Sequence, residues 1–175
     1  MEFNIEELYD FEPWSITVEP LPGESISHYF GRWRRHELNS ISAPTALSRS
    51  AGIGFALSRW EKLRFNPPPT RRELEAIAKY VGLEVEKLLA MFPPKGTPTV
   101  NRSVRLCAAC YREAPCHRME WQFESTAGCD NHQLRLISRC PACDEKIALP
   151  VDWDEGKCKR CGMKFTSMVK YQKPY

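Results

Sequence analysis

"GCDNHQLRLISRCPAC", residues 128–143, places Cys129, His132, Cys140 and Cys143 within fifteen positions, and its reading decides the fold of the chain. Two residues separate Cys129 from His132, and two separate Cys140 from Cys143. The same spacing recurs upstream as Cys107-x-x-Cys110, after a gap of eighteen residues, and downstream as Cys158-x-x-Cys161, after a gap of fourteen. A pair spaced this way presents both donors to one ion, and two pairs close a tetrahedron of thiolate and imidazole about 2.0 to 2.3 Å from zinc. One such pair is weak evidence, whereas four in order are specific.

Taken sequentially, Cys107, Cys110, Cys129 and His132 form one ligand set and Cys140, Cys143, Cys158 and Cys161 a second; an interleaved cross-brace would use the same eight residues. Each set is full, with no position left for water or substrate, so the expectation is two structural Zn2+ ions and no catalytic metal. Metal also explains how this region folds. Residues 107–161 contain the charged, turn-rich stretches "DEK" and "WDEGK", bury little apolar surface, and need ligation to supply the missing stability. Rival cysteine chemistries fit less well. A disulfide framework suits a secreted chain, and no signal peptide is visible. A thioredoxin-like pair needs a βαβ unit, and a zinc deaminase needs a His-x-Glu motif ahead of "RCPAC". Cys116 and His117 in "APCHR" stand outside the ligand spacing and read as packing or partner-contact residues.

No cysteine occurs before position 107, and the change in composition falls at the Pro/Gly/Thr-rich "FPPKGTPTVNRS", residues 92–103. The chain of 175 residues therefore divides into an acidic segment 1–24, a helical domain 25–95, a linker 96–104, a first finger 105–135, and a second finger with tail 136–175. The fold class is α+β, mainly α: a helix-turn-helix-like domain followed by two small zinc ribbons. In "GESISHYFGRWRRHEL", Ser25 caps a helix whose Ile26, Tyr29, Phe30 and Trp33 share a face, with Arg32, Arg34 and Arg35 toward solvent. "SAPTALSRSAG" reads as a short helix with Ser42 as cap and Gly52 as stop. "FALSRWEKLRF" buries Leu57, Trp60 and Leu63. "TRRE" at 70–73 is a capping box ahead of Leu74, Ile77, Ala78 and Val81, and a fifth helix packs Val85, Leu88, Leu89 and Phe92. The order of helices over 42–89 is similar to the Cro and phage-repressor class, in which the helix at 55–64 presents Ser58, Arg59, Lys62 and Arg64 outward.

The net charge of +3 conceals an asymmetry. Residues 1–24 hold seven acidic groups and no Lys or Arg, which leaves 15 acidic against 25 basic groups in the remainder. Such a body attracts polyanions, and the candidate phosphate contacts are Arg32, Arg34, Arg35, Arg59, Lys62 and Arg64. In "DFEPWSITVEP", Trp14 either begins a strand that packs back on the body or anchors a protein partner. The longest apolar run is far too short to span a bilayer, which predicts a soluble, cytoplasmic protein with no membrane partner. An enzyme is not expected, since there is no Gly-rich phosphate loop, no His-Glu-x-x-His and no transposase-like carboxylate cluster.

Together, "EPLPGESISHYFGRW", "CAAC" followed by "HRMEW", "CDNHQLRLISRCPAC" and the last "CKRC" resemble the TniQ family of bacterial transposition proteins, from about Trp14 to Cys161. The first knuckle departs from the family pattern in lacking a proline after its first cysteine, and Cys116 stands where an aromatic residue is common. The resemblance implies a helix-turn-helix domain joined to zinc fingers and a part in target-site selection. The compact chain looks like the short TniQ proteins of type V-K CRISPR-associated transposons. That likeness implies a bacterial, non-enzymatic adaptor between an RNA-guided Cas effector with its guide RNA and the AAA+ ATPase TnsC, with DNA as a further candidate partner. The alternative is a sequence-specific transcription regulator that reads DNA with the helix at 55–64.

Overall fold

The computed structural model describes residues 16–37, 39 and 44–175. Among the described residues six short α-helices carry most of the regular structure: α1 (Ile26–Arg35), α2 (Pro44–Ser50), α3 (Ala56–Glu61), α4 (Arg71–Val81), α5 (Val85–Leu89) and α6 (Ala108–Glu113). The sheet content is small: β1 (Gly128–Cys129) pairs antiparallel with β2 (Leu134–Arg135), and isolated bridges link Arg139 to Lys146 and Lys157 to Lys164.

Local chemistry sets the helix ends. The Ser25 hydroxyl accepts from the His28 amide at 3.3 Å and opens α1. Thr70 and Glu73 complete a reciprocal capping box on α4, which stops at Gly82 in the left-handed conformation. Helix α3 is shorter than its sequence suggests, because the chain turns at Leu63 with φ of 56°. Leu63 is nevertheless buried, now against the fingers, while Phe55 at the start of α3 is exposed. The cap expected at Ser42, and Trp14, lie outside the described residues. In the described part of "WSITV", Ile16 exchanges hydrogen bonds with the Asn39 side chain and forms no strand.

Two apolar clusters organise the chain. The first gathers Ile26, Tyr29, Phe30 and Trp33 of α1 with Leu57, Trp60, Leu74, Ile77, Val81, Leu88 and Phe92. Fully burying side chains of this size stabilises by about 1.5–3 kcal/mol each. Leu89, expected inside, is exposed: α5 has only five residues and turns one narrow face inward. The second cluster runs from Val104 to Met168 and joins both fingers around Leu106, Trp121, Trp153 and Phe165. The segment Phe165–Tyr171 packs on α6, and the Lys173 carbonyl accepts from the Arg135 amide at 2.8 Å, so the tail returns to the first finger.

Helix α1 is the beam between the halves. Its Gly31 faces the backbone of Val151 in the second finger, where a Cβ would lie 2.9 Å from the carbonyl carbon and nearer still to the oxygen. The Ser27 hydroxyl donates to the Glu61 carbonyl at 2.6 Å and accepts from the Val151 amide at 3.1 Å, tying α1, α3 and the second finger. Gly31→Ala gains about 1 kcal/mol of helix propensity and loses more to overpacking against a backbone that cannot step aside, about 1–3 kcal/mol. Thermal denaturation should therefore show a lower melting temperature for the variant; a rise would refute the close approach.

Candidate metal centres

The fold brings the eight sequence-spaced ligands into two groups of four, paired sequentially. Donor atoms of Cys107, Cys110, Cys129 and His132 lie within 4.8 Å of one another, and so do those of Cys140, Cys143, Cys158 and Cys161. In the first group the Cys110 and Cys129 sulfurs are 3.3 Å apart, and His132 Nδ1 is 3.3, 3.5 and 3.9 Å from Cys110, Cys129 and Cys107. In the second, Cys140 to Cys161 is 3.5 Å and Cys143 to Cys158 is 3.6 Å. A tetrahedron with donors about 2.3 Å from its centre has edges of about 3.8 Å, whereas a disulfide needs about 2.05 Å. The donor sets thus fit tetrahedral ions and not disulfides, and zinc is among the ions such sulfur-rich sets suit.

The knuckles are built locally. In three of them the residue after the second ligand takes a positive φ: Gln133 (52°), Asp144 (60°) and Gly162 (74°). This turns the chain back, and the Asp144 amide donates to the Cys140 carbonyl at 2.9 Å as the Gly162 amide does to Cys158 at 3.0 Å. The first knuckle is different, because Cys107 is the N-cap of α6 and Cys110 lies within that helix.

Hydrogen bonds tune the donors. Burial pushes the Cys158 thiol up, but the backbone amides of Cys161 and Arg160 and the Cys143 thiol outweigh it and leave the group lowered to about 7. Cys129 is likewise lowered despite burial, by His132 and Cys110. Sequence reasoning missed two supports. Glu113 on α6 accepts from His132 Nε2 at 2.8 Å, fixing the ring with Nδ1 toward the thiols. Gln172 of the tail accepts from the Ala109 amide at 3.2 Å and lies 3.8 Å from Cys107 Sγ. The Glu113 contact joins α6 to a distant hairpin, which no spacing signals.

A third cluster, Glu24, His28 and Cys116, is fully buried where α1 meets the first finger. Here Arg32 donates to both carboxylate oxygens of Glu24, at 2.8 and 2.6 Å, and His28 and the Leu21 amide complete its shell. The guanidinium already supplies the positive charge a metal would bring, so this is an ion-pair network. Burial pushes the Cys116 thiol up to about 12 and the His117 imidazole down to about 3, and His117 Nδ1 pairs with Ser25 Oγ at 2.8 Å. Both residues pack inside the seam.

The candidate phosphate contacts are scattered. Arg32 is held by Glu24, Arg34 by the buried Glu61, Arg35 by the Val151 carbonyl at 2.7 Å, and Arg59 by the Pro67 carbonyl and Glu73. The expectation that Arg32, Arg34 and Arg35 lie toward solvent holds for the exposed Arg35 and is corrected for Arg32 and Arg34, which are half-buried because buried carboxylates claim them. Lys62 and Arg64 are exposed, and neither side chain makes a hydrogen bond or ion pair among the described residues. Ser58 is half-buried on α3. Among the described residues no helix is long and apolar enough to cross a membrane.

No curated protein matches the chain. A family model described as TniQ matches residues 15–136, more than half of the 175, taking in the helical half and the whole first ligand set. With a family association in transposition and two closed metal-ligand sets behind the helices, the chain belongs to the TniQ family.

Proposed function

We propose that this protein is a non-enzymatic adaptor in the selection of transposition targets, joining an RNA-guided Cas effector to the AAA+ ATPase TnsC and carrying two structural zinc ions in the bacterial cytoplasm. The observation that carries the reading is the family match over residues 15–136. It is supported by two ligand sets that are each full, leaving the metals a scaffolding role and no open position for chemistry.

Helix α3 does not favour the regulator alternative. It has six residues, of which Ala56, Leu57, Trp60 and Glu61 are buried, and Arg59 is engaged internally. A helix so occupied offers few side chains to a major groove.

The test is co-sedimentation of the zinc-loaded protein with assembled TnsC filaments. Trp14→Ala should abolish it while leaving zinc content and melting unchanged, because an aromatic anchor in an acidic segment suits a basic partner surface. Failure of the unmodified protein to co-sediment, together with nanomolar binding to one DNA sequence at physiological salt, would replace the adaptor by the regulator.

A further inference from the structure

About half the cations of this basic body are engaged in ion pairs or hydrogen bonds, as the arginines of α1 are, and others, Lys79, Lys95 and Lys170 among them, stand exposed. Three unengaged cations converge in a cleft of about 140 Å³ where the end of α3, the linker and the second finger meet, lined by Lys62, Asn101, Arg102, Ser103 and Lys146 over a floor that includes Val104 and Ile147. No carboxylate lines it. The side-chain cations of Lys62, Arg102 and Lys146 have no ion-pair or hydrogen-bond partner among the described residues, unlike the arginines of α1. Lys146 also borders a neighbouring hollow of about 380 Å³ that reaches Lys159 and Arg160, so five cations follow one furrow. Glu145 is the only acidic residue there, Lys159 is held by an exposed pair with Asp152 at 2.9 Å, and such a pair exchanges readily.

The cleft is also prebuilt. The buried Gln122 side chain accepts from the Arg105 amide at 2.8 Å and donates to the carbonyls of Val100 at 2.9 Å and Ser103 at 3.0 Å, while the Val100 amide donates to the Gln122 carbonyl at 2.8 Å. The linker that presents Arg102 is thereby fixed before anything binds, which lowers the ordering cost of association.

We propose that this furrow seats the sugar-phosphate backbone of a DNA double helix, with Lys62, Arg102 and Lys146 as the contact cations and Lys159 and Arg160 extending the track. A protein partner is disfavoured because none of the exposed large apolar residues, Ile16, Leu21, Phe55, Leu89, Tyr171 and Tyr175, lines it, and protein interfaces are anchored by such groups. An unstacked single strand is disfavoured because no aromatic ring lines the furrow to receive a base. The choice of DNA over RNA rests on the transposition reading above; the phosphate chemistry comes from the cleft itself.

The zinc-loaded full chain is titrated against a fluorescent DNA duplex of arbitrary sequence over a salt series. The unmodified protein should bind at low salt. The triple variant Lys62→Gln, Arg102→Gln, Lys146→Gln should lose at least about tenfold in affinity and flatten the slope of log K against log salt by roughly 2 to 3, near 0.9 per phosphate contact. A control triple of exposed lysines outside the furrow, Lys79→Gln, Lys95→Gln and Lys170→Gln, should change the slope less. The single variant Arg102→Glu repeats the test if the triple is destabilised. Equal loss in the control, an unchanged slope, or absence of binding by the unmodified protein overturns the furrow, and tighter binding of a duplex RNA of the same sequence overturns its assignment to DNA. Co-sedimentation with TnsC is read on the same variants. If it persists without DNA binding, the furrow falls and the adaptor stands; DNA binding without co-sedimentation does the reverse.

Discussion

Stripping the metal with a strong chelator at neutral pH is expected to unfold the finger half while the helical half keeps much of its far-ultraviolet signal. Structural zinc contributes about 10–16 kcal/mol in small metal-folded modules, as much as the entire stability of a typical domain, about 5–15 kcal/mol. The finger half has little to set against that loss: its regular structure is α6, the β1–β2 pair and short 3-10 turns, and five of its buried side chains are the ligands Cys107, Cys110, Cys129, Cys140 and Cys158. The helical cluster lacks ligands altogether. Elemental analysis should give two zinc ions per chain before treatment, one for each ligand set, and Cys140→Ser or Cys161→Ser should lower folding yield in the same half. An unchanged melting curve after verified removal would refute the assignment. Acid acts in the same direction, because thiolates and neutral imidazole are the binding forms.

Glu24→Ala should be the most damaging single change in the seam. The carboxylate has no solvent exposure and is shared by Arg32, His28 and the Leu21 amide. Removing one partner of a buried pair costs about 3–5 kcal/mol. Arg32 keeps 26% of its side chain exposed and can recover some hydration, so the lower end applies. For a chain of this size about 3 kcal/mol corresponds to a fall of roughly 6–12 °C in melting temperature. Burial pushes the Glu24 carboxyl up, yet the hydrogen bonds from Arg32 and His28 prevail and hold it below its usual range. A group depressed in the folded state stabilises above its unfolded range and stops doing so as pH falls through its folded value. Wild type and variant should therefore converge in acid; a constant gap down to the lowest pH, or a gap under about 1 kcal/mol, would show the network to be incidental.

Local signals in the sequence carried well. The face of α1, the capping box and glycine stop of α4, and the ligand spacing each depend on residues a few positions apart, and the structure contains all of them. What stayed illegible is long-range. Arg32 and Arg34 read as solvent-facing because their acceptors, Glu24 and Glu61, become buried only when the two halves meet. Gly31 carries no local signal of its role, whose reason lies 120 residues away at Val151. Glu113 and Gln172 support the first metal site from α6 and the tail, contacts set by tertiary folding and not by any period in the sequence. The cleft with Lys62, Arg102 and Lys146 draws one cation from each of three separate segments.

The tail that closes on the first finger has a consequence for synthesis. A ribosome releases the chain from its amino end, so Cys107, Cys110, Cys129 and His132 emerge before the second ligand set, yet Gln172 and Tyr175, which dock on Ala109 and Gly128, follow that second set. The metal site that is translated first thus gains its outer contacts only after the second ligand set has been made.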